Sequence, residues 1–213
     1  RIDNLATSAV HLKFIKGDIT NPATVAKATT GISHLFHLAA LTSVPQSVTN
    51  PKRYQEANVT GTATLYDAAA GNAVRSIAFA SSAAVYGPRD TVCVETDTPA
   101  PTSPYADTKF AGEKLGQELA STHNLSVANL RFFNVHGPRQ LATSPYSGVV
   151  AAFTHRLKKQ QPITLYGNGE QTRDFVPVAR VVDACLHAGL CTPLRGQSIN
   201  VATGTSITLR TKK

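Results

Sequence analysis

Short apolar runs alternate along this chain with longer stretches in which apolar residues recur at helical spacing. The runs that predict strands cover residues 11–15, 34–38, 76–80, 126–132, 163–166 and 198–201. The stretches that predict helices cover residues 22–29, 52–70, 104–122, 148–159 and 181–189. Strands and helices that alternate in this way favour a parallel sheet with helices on both faces. We therefore predict an α/β fold.

The clearest boundary in the chain is Gly137-Pro138-Arg139, which opens a polar stretch that reaches Ser147. Beyond it the alternation loosens and the loops lengthen. We predict that residues 1–140 form the main α/β region and that residues 141–213 form a smaller, incomplete one. Its segment 173–190 can pack back onto the first region.

Composition disfavours several classes of protein. Hydrophobic residues make up 42% of the chain and charged residues 16%, which is typical of a globular protein, and no apolar run approaches the roughly 20 residues that cross a bilayer. The net charge of +8 comes from scattered residues without interleaved aromatics, so we expect no nucleic-acid partner. Cys93, Cys185 and Cys191 are odd in number and lack metal-ligand spacing, which predicts reduced thiols in a cytoplasmic protein and no metal.

The most informative pair of residues is Tyr105 and Lys109, which lie four positions apart in the predicted helix 104–122. Ser103 can cap that helix, with Pro104 at its first position. Residues at this spacing share a helix face, so the ammonium can lie near the phenol. A nearby positive charge favours the phenolate. We expect it to lower the Tyr105 pKa from about 10, so that the phenol can act as a base near neutral pH.

Polar or very small residues follow several of the predicted strands. Ligands of open parallel sheets bind beyond the carboxyl ends of the strands, where these residues fall. Each one alone also fits a turn, a cap or tight packing, but together they predict a single crevice. The residues are Asp3, Asp18, Ala39 with Ala40, Ser81 with Ser82, and Asn134.

These residues belong to a series of short motifs. The series runs Asp3-Asn4-Leu5, Gly17-Asp18-Ile19, His37-Leu38-Ala39-Ala40, Asn58-Val59-Thr60-Gly61-Thr62, Ser81-Ser82-Ala83-Ala84-Val85-Tyr86-Gly87, Ser103-Pro104-Tyr105 with Lys109, Arg131-Phe132-Phe133-Asn134-Val135, Tyr166-Gly167-Asn168-Gly169-Glu170 and Arg173-Asp174-Phe175. In this order they resemble the extended short-chain dehydrogenase/reductase superfamily, and within it the NAD-dependent epimerase/dehydratase family of the UDP-glucose 4-epimerase type. The resemblance covers nearly all of the chain. It implies a Rossmann-like NAD-binding sheet in residues 1–140 and sugar-nucleotide binding in residues 141–213.

The same resemblance implies a site for NAD. Asp3 would bind the adenosine ribose, and a carboxylate there selects NAD over NADP. Lys109 would bind the nicotinamide ribose, and Phe133 would lie near the nicotinamide ring. Further cofactor contacts are implied for Asn4, Asp18, Ile19, Leu38, Ala39, Ala40, Asn58, Ser81 and Tyr105.

A UDP-sugar site is implied beside it. The catalytic residues would be Ser82, Tyr105 and Lys109, with the Ser82 hydroxyl also bound to the sugar. Asn134 and Arg173 would hold the diphosphate, since the planar guanidinium matches two phosphate oxygens. The uracil and sugar contacts would come from Thr164, Tyr166, Thr42, Ser43 and Gln140.

The implied reaction is an oxidation followed by a reduction. Tyr105 would take the proton of the C4 hydroxyl while hydride passes to NAD, and hydride would return to the other face of the 4-keto sugar. Dehydratases of the family carry an Asp-Glu pair where this chain has Ala83 and Ala84, which cannot move protons, so epimerisation is favoured. UDP-glucose and UDP-galactose are the default substrates. UDP-N-acetylhexosamine, UDP-glucuronate and a non-catalytic NAD- or sugar-nucleotide-binding role stay open.

Two parts of the family pattern are missing from this chain. They are an N-terminal strand with a glycine-rich turn for the pyrophosphate, and the C-terminal part. We therefore interpret the chain as a fragment or a truncated product that lacks the first strand of the Rossmann-like sheet. On its own it should bind NAD poorly and turn over slowly, if at all. A homodimer through the helices that contain Asn58 and Tyr105 is implied for the full-length protein, with no membrane partner.

Overall fold

A parallel sheet lies at the centre of the part of the chain that is described, which comprises residues 12–142, 148–163, 165, 168–191 and 193–208 of a computed structural model. Its strand order is β1 (His34–His37), β2 (Ser76–Ser82), β3 (Ser126–Phe132), β7 (Arg195–Val201). Shorter pairings join β4 (Asn134–His136) to β6 (Phe175–Pro177) and β5 (Thr172–Arg173) to β8 (Ile207–Thr208). The predicted α/β class, with a parallel sheet flanked by helices, is confirmed.

Helices cover both faces of this sheet. They are α1 (Pro22–Thr29), α2 (Val44–Thr49), α3 (Pro51–Tyr54), α4 (Gly61–Gly71), α5 (Pro104–Thr122), α6 (Val149–Lys158) and α7 (Val178–Leu186). A π-helical turn, Gln55–Thr60, joins α3 to α4, and a second one, His187–Cys191, follows α7. Among the described residues, no helix has the length and apolar character that spanning a membrane requires.

Two helices occupy the residues predicted for them, α1 and α5, because their first turns are capped locally. The Asn21 side chain accepts a hydrogen bond from the Thr24 amide at 3.0 Å, and the Ser103 hydroxyl accepts one from the Ala106 amide at 3.2 Å. In both helices proline stands in the first turn, where its missing N–H costs nothing. The position of Tyr105 near the start of α5 therefore follows from local sequence.

The strand predicted over residues 11–15 is wrong for residues 12–15, which belong to no strand. Leu12 and Phe14 are exposed, and within the described residues β1 pairs with β2 alone. A short strand forms only where a neighbour completes its hydrogen bonds and covers its apolar face. The strand predicted over 163–166 is also absent at residues 163 and 165, while 164 and 166 lie outside the described residues.

The other predictions differ mainly at the ends of elements. The helix predicted over 52–70 begins at Pro51 and contains the π-helical turn, and the one predicted over 181–189 begins at Val178. The helix predicted over 148–159 is one residue shorter at each end, and the strand predicted over 198–201 begins at Arg195. The strand predicted over 126–132 is confirmed, while the one predicted over 34–38 is one residue shorter and the one predicted over 76–80 extends to Ser82.

The apolar core lies in two layers, because successive strand residues face opposite sides of a sheet. On one side Ile77 and Val127 pack with Leu119 of α5. On the other, Ala78 packs in a cluster with Val181 of α7. Helix α7 and strand β7 come from beyond residue 140 and pack with residues of β2 and β3, while the division of the chain into two regions stays a prediction.

Helix α5 approaches β2 closely at Gly112. A Cβ atom at this position would lie 2.5 Å from Cζ of Phe79, whose side chain is only 1% exposed. The ring is enclosed by the core and cannot move away. Glycine at position 112 therefore sets how near the helix that carries Tyr105 can lie to the sheet.

We predict that Gly112→Ala lowers the free energy of unfolding by about 1–3 kcal/mol, because the new methyl overpacks the core. The matched control is Gly71→Ala at the end of α4, where no described atom lies within 4 Å of the added Cβ. There the gain in helix propensity, up to about 1 kcal/mol, is expected to dominate. Urea unfolding of both variants measures the difference, and equal effects of the two changes would contradict the close approach.

His37 is a buried polar residue at the end of β1. It is 2% exposed, its Nε2 lies 2.9 Å from Oγ1 of Thr62, and its ring packs near those of Tyr66 and Phe79. Burial, together with the positive charge of Lys109, lowers the pKa of His37 from 6.5 to about 3. The imidazole is therefore neutral in the folded protein at physiological pH.

This pKa predicts acid sensitivity. Between pH 6.5 and about 3 the unfolded chain binds a proton at His37 that the folded chain does not, so stability falls as the pH falls through that range. From pH 7 to pH 4 the loss should be about 3 kcal/mol. The variant His37→Gln can still bond to Thr62 but does not titrate, so urea unfolding should show a loss smaller by that amount. An equal loss in both proteins would refute the assignment.

Candidate active site

A cavity of about 930 Å³ opens beyond the carboxyl ends of β1, β2 and β3. Its wall is mostly apolar, with Phe36 and Phe133 on it and residues of α7 along one side, and a few polar groups face inward. This composition is common in sites for small organic ligands. The predicted site residues that line it are Leu38, Thr42, Ser43, Ser81, Ser82, Tyr105, Lys109, Phe133, Asn134 and Gln140.

Lys109 is held at the inner end of this cavity. It is 4% exposed, and its Nζ donates a hydrogen bond of 2.8 Å to the Ala80 carbonyl oxygen of β2. The same Nζ lies 5.1 Å from the centroid of the Phe79 ring, within reach of a cation–π interaction. Burial lowers the pKa of Lys109 to about 8. The ammonium thus ties α5 to the end of β2.

Tyr105, near the start of α5, faces Ser82 at the end of β2. Burial raises the pKa of Tyr105, and a hydrogen bond with the Ser82 side chain acts against that rise. Ser82 is itself fixed, because its Oγ accepts a hydrogen bond of 3.2 Å from the Ala84 amide in the turn Ala83–Tyr86. The phenol and the serine hydroxyl therefore lie near each other on the cavity wall.

The expectation that Lys109 lowers the pKa of Tyr105 is wrong in this structure. The ammonium is engaged by the Ala80 carbonyl and the Phe79 ring, and burial dominates at the phenol. Helical spacing brings the two residues to the same side of α5, but it does not fix which neighbour the long lysine chain binds. A positive charge brought in with a ligand would add to the lowering influence of Ser82 on the Tyr105 pKa.

Asn58, predicted as a cofactor contact, lies beneath the cavity instead of on its wall. It is 3% exposed and stands in the π-helical turn, where its Oδ1 accepts from the Leu41 amide at 2.8 Å. Its Nδ2 donates to the Leu41 carbonyl and to Thr108 Oγ1, both at 3.0 Å. Both ends of the amide are thus bonded within the protein. Asn58 fixes the loop after β1 that carries Thr42 and does not reach into the cavity.

Other predicted residues also lie away from the cavity wall. Asp18 is exposed, and hydrogen bonds from the amide and hydroxyl of Thr20 lower its pKa. Ile19 packs toward Gly61 at the start of α4. Ala39 and Ala40 do not line the cavity, and Asp3, Asn4, Thr164 and Tyr166 lie outside the described residues.

Arg173 belongs to β5 and does not line the cavity. Its side chain is exposed, with Nη1 bonded to the Thr172 carbonyl. The next residue, Asp174, accepts a hydrogen bond of 3.0 Å from the Asn134 amide through its carbonyl. Asn134 is on the wall and bonds to the neighbour of Arg173, but Arg173 itself pairs with β8, so the predicted diphosphate pair does not converge on one point here.

Two charged residues that the sequence reasoning did not select support the site from below. Glu113 and Arg131 form an ion pair of 2.7 Å with side chains 0% and 4% exposed. The sequence contains an indication of a buried role for each of these two residues. Glu113 follows Lys109 by four residues on the same helix, and Arg131 stands in the otherwise apolar strand β3, where a charge requires a partner.

Among the described residues, His, Cys, Asp and Glu side chains form no group of three that could hold a metal ion. The polar groups of the cavity suit hydrogen bonding and proton transfer to an organic ligand. The phenol of Tyr105 and the ammonium of Lys109 lie one turn apart on α5, and the hydroxyl of Ser82 lies at the end of β2.

Comparison with known proteins agrees with this arrangement. The model of the family described as "NAD dependent epimerase/dehydratase family" matches residues 2–202. A UDP-glucose 4-epimerase of Mycolicibacterium smegmatis is 37% identical over 218 residues, covering 99% of this chain and 68% of the relative. UDP-glucuronate 4-epimerase 1 of Arabidopsis thaliana is 33% identical over 180 residues, covering 81% of this chain and 41% of the relative.

Solved structures give the same picture. UDP-N-acetylglucosamine 4-epimerase from Methanobrevibacter ruminantium M1, in complex with UDP-N-acetylmuramic acid, superposes with a TM-score of 0.85 at 36% identity, covering 92% of this chain and 62% of that one. The UDP-glucose 4-epimerase of Thermus thermophilus in complex with NAD gives 0.84 at 31% identity, covering 98% and 75%. Relatives such as those above are longer, and the chain spans 41–68% of the length of the two curated ones.

Proposed function

The chain belongs to the NAD-dependent epimerase/dehydratase family, and from that premise we propose that its site serves the epimerisation of a UDP-hexose at C4 through a transient 4-keto sugar. The observation that carries this proposal is that Tyr105, Ser82 and Lys109 line one wall of the same large cavity, with the phenol near the serine hydroxyl. A hydroxyl of a bound sugar that reaches this pair has both an acceptor for its proton and a second hydrogen-bond partner.

The residues present suit NAD as the cofactor. An ammonium carries three donors, and the bond from Lys109 to Ala80 accounts for one, so others can bind the hydroxyls of a ribose. Phe133 offers an apolar surface on the same wall for a nicotinamide ring. Bound NAD supplies a hydride acceptor and, in its oxidised form, a positive charge. We propose that Lys109 and Phe133 hold this end of the cofactor.

Within this site Tyr105 moves the proton. Its Oη accepts the proton of the sugar hydroxyl and later returns it, while Ser82 orients the hydroxyl by a shared hydrogen bond. Because burial raises the pKa of Tyr105, the phenol is protonated in the free protein at neutral pH. Positive charge close to the phenol stabilises the phenolate, so the base becomes available when cofactor and sugar are both bound.

The turn after Ser82 supports epimerisation over elimination of water. Ala83 and Ala84 open the turn Ala83–Tyr86, and Ala84 contributes its backbone amide to Ser82. Elimination needs an additional acid and base near the sugar, and these two side chains have no titratable group. The pathway with a single proton-transferring residue, Tyr105, therefore fits the site best.

The identity of the sugar follows from the comparisons only as a class. Relatives are UDP-glucose and UDP-glucuronate 4-epimerases, and a UDP-N-acetylglucosamine 4-epimerase is a structural neighbour. We propose UDP-glucose and UDP-galactose as first substrates to test, with UDP-N-acetylhexosamine and UDP-glucuronate next. A cytoplasmic location and the division of the chain near residue 140 remain predictions.

The decisive variant is Tyr105→Phe, which removes the proton acceptor and leaves the ring. In the chain extended at both ends to the length of its relatives, with millimolar NAD and UDP-glucose, formation of UDP-galactose should fall by about 10²–10⁴-fold relative to the extended chain with Tyr105, while binding of the UDP-sugar, measured by calorimetry, is kept. The control is Tyr66→Phe, since Tyr66 is buried outside the cavity and its hydroxyl has no hydrogen-bond partner among the described residues. Its turnover should match that of the extended chain with Tyr105.

Two results would count against the proposal. Turnover that survives in Tyr105→Phe would exclude the phenol as the base. An extended chain with Tyr105 intact that binds NAD and UDP-glucose, yet forms no trace of UDP-galactose on long incubation, would favour the non-catalytic binding role.

We also propose a homodimer through the helices that carry Asn58 and Tyr105. These helices lie side by side, since α5 packs against the π-helical turn Gln55–Thr60. For a chain of 22.6 kDa, light scattering at micromolar concentration should give about twice that mass. A monomer mass up to high concentration would refute the dimer.

A further inference from the structure

Glu113 is a carboxylate with no exposed surface and with bonds to three strands. Arg131 of β3 donates to it from Nε at 2.9 Å and from Nη2 at 2.7 Å. Ser198 of β7 donates at 3.0 Å, and Ser81 of β2 donates to Oε1 through a short hydrogen bond. A buried charge is tolerated only when its partners are complete, and here both carboxylate oxygens are engaged.

The bond from Ser81 to Glu113 is one of two that join α5 to the end of β2. One turn earlier on the same helix, Lys109 bonds the carbonyl oxygen of Ala80. Consecutive residues of β2, Ala80 and Ser81, are therefore both held by α5. The next residue of the strand is Ser82, and the start of the same helix carries Tyr105.

Strand geometry makes the hold on Ser81 relevant to Ser82. Successive side chains of a strand point to opposite faces, so a rotation of β2 at Ser81 also turns the side chain of Ser82. Fixing the Ser81 hydroxyl on the α5 side limits that rotation. The result is a defined direction for the Ser82 hydroxyl, which meets the phenol of Tyr105.

Arg131 keeps the Glu113 carboxylate in place from the other side. Although burial alone would lower the pKa of Arg131, its hydrogen bonds with Glu113 raise it further above its usual value, so the guanidinium stays charged. Its guanidinium carbon also lies 4.7 Å from the centroid of the Tyr86 ring. The charged guanidinium therefore holds the Glu113 side chain through two hydrogen bonds beneath the site.

We propose that Glu113 is a positioning residue of the active site: through Ser81 it sets the orientation of Ser82 relative to Tyr105. Glu113 does not touch the ligand in this role. The inference rests on the proposed function for its catalytic consequence, but the geometric part can be tested without turnover.

The test compares two variants that each remove one hydroxyl from the same carboxylate, Ser81→Ala and Ser198→Ala. Both leave the ion pair of Glu113 and Arg131 intact, so folding is retained, and only the first frees the strand next to Ser82. The readout is the ¹³Cζ resonance of Tyr105 at pH 7 in tyrosine-labelled protein, identified with Tyr105→Phe, because this shift depends on the hydrogen bond of the phenol.

We expect the Tyr105 resonance to move by more than its line width in Ser81→Ala and to stay in place in Ser198→Ala. A resonance unmoved by Ser81→Ala, or moved equally by both variants, overturns the proposal and leaves Glu113 with a purely structural role. The result does not depend on whether the chain is an epimerase, so failure of the proposed function would be recognised separately.

Where turnover is measurable, a second readout applies. Ser81→Ala should lower kcat by about 10-fold or more with KM changed by less than about 3-fold, because misplacement of reacting groups acts mainly on the transition state. Ser198→Ala should keep kcat within about 2-fold even if its melting temperature falls. Equal losses of kcat in the two variants would contradict positioning through Ser81.

Discussion

The attachment of α5 to the carboxyl end of β2 is the constraint on which the site depends. It consists of two buried charges from one helix, Lys109 and Glu113, bonded to adjacent residues of the strand. Burying either charge without its partners would cost several kcal/mol, and breaking a buried ion pair typically costs about 3–5 kcal/mol. The approach that these bonds require is possible because residue 112 has no side chain to strike Phe79.

From this attachment the chemistry follows in steps. The helix start carries Tyr105, the strand end carries Ser82, and the two meet on the wall of the cavity. Tyr105 and Ser82 are both packed against the protein around them. Burial also raises the pKa of Tyr105, so the phenol is protonated in the free protein. In the proposed function, the positive charge of bound oxidised NAD would favour the phenolate, which would couple proton transfer to the presence of the cofactor.

Much of the fold could be predicted from the sequence, and so could ten of the residues on the cavity wall. The start of helix α5 was predictable because Ser103 caps it and Pro104 opens it, both local signals. The π-helical turn that buries Asn58 could not be predicted, because the spacing of apolar residues does not show where a helical turn contains one extra residue. The direction of side chains was not predictable either. Ser81 binds Glu113 and Lys109 binds Ala80, and both choices depend on how helix and strand pack in three dimensions.

The most direct measurement of the chemistry uses UDP-glucose that carries deuterium at C4, incubated in ordinary water with NAD and the chain extended to the length of its relatives. Tyr105 exchanges only the hydroxyl proton in the proposed reaction, while the hydrogen on carbon leaves and returns as hydride. Mass spectrometry of the UDP-galactose formed should therefore find the deuterium retained at C4. Loss of the label to solvent would mean that a base removes the carbon-bound hydrogen as a proton, and would contradict the role assigned to Tyr105 and Ser82.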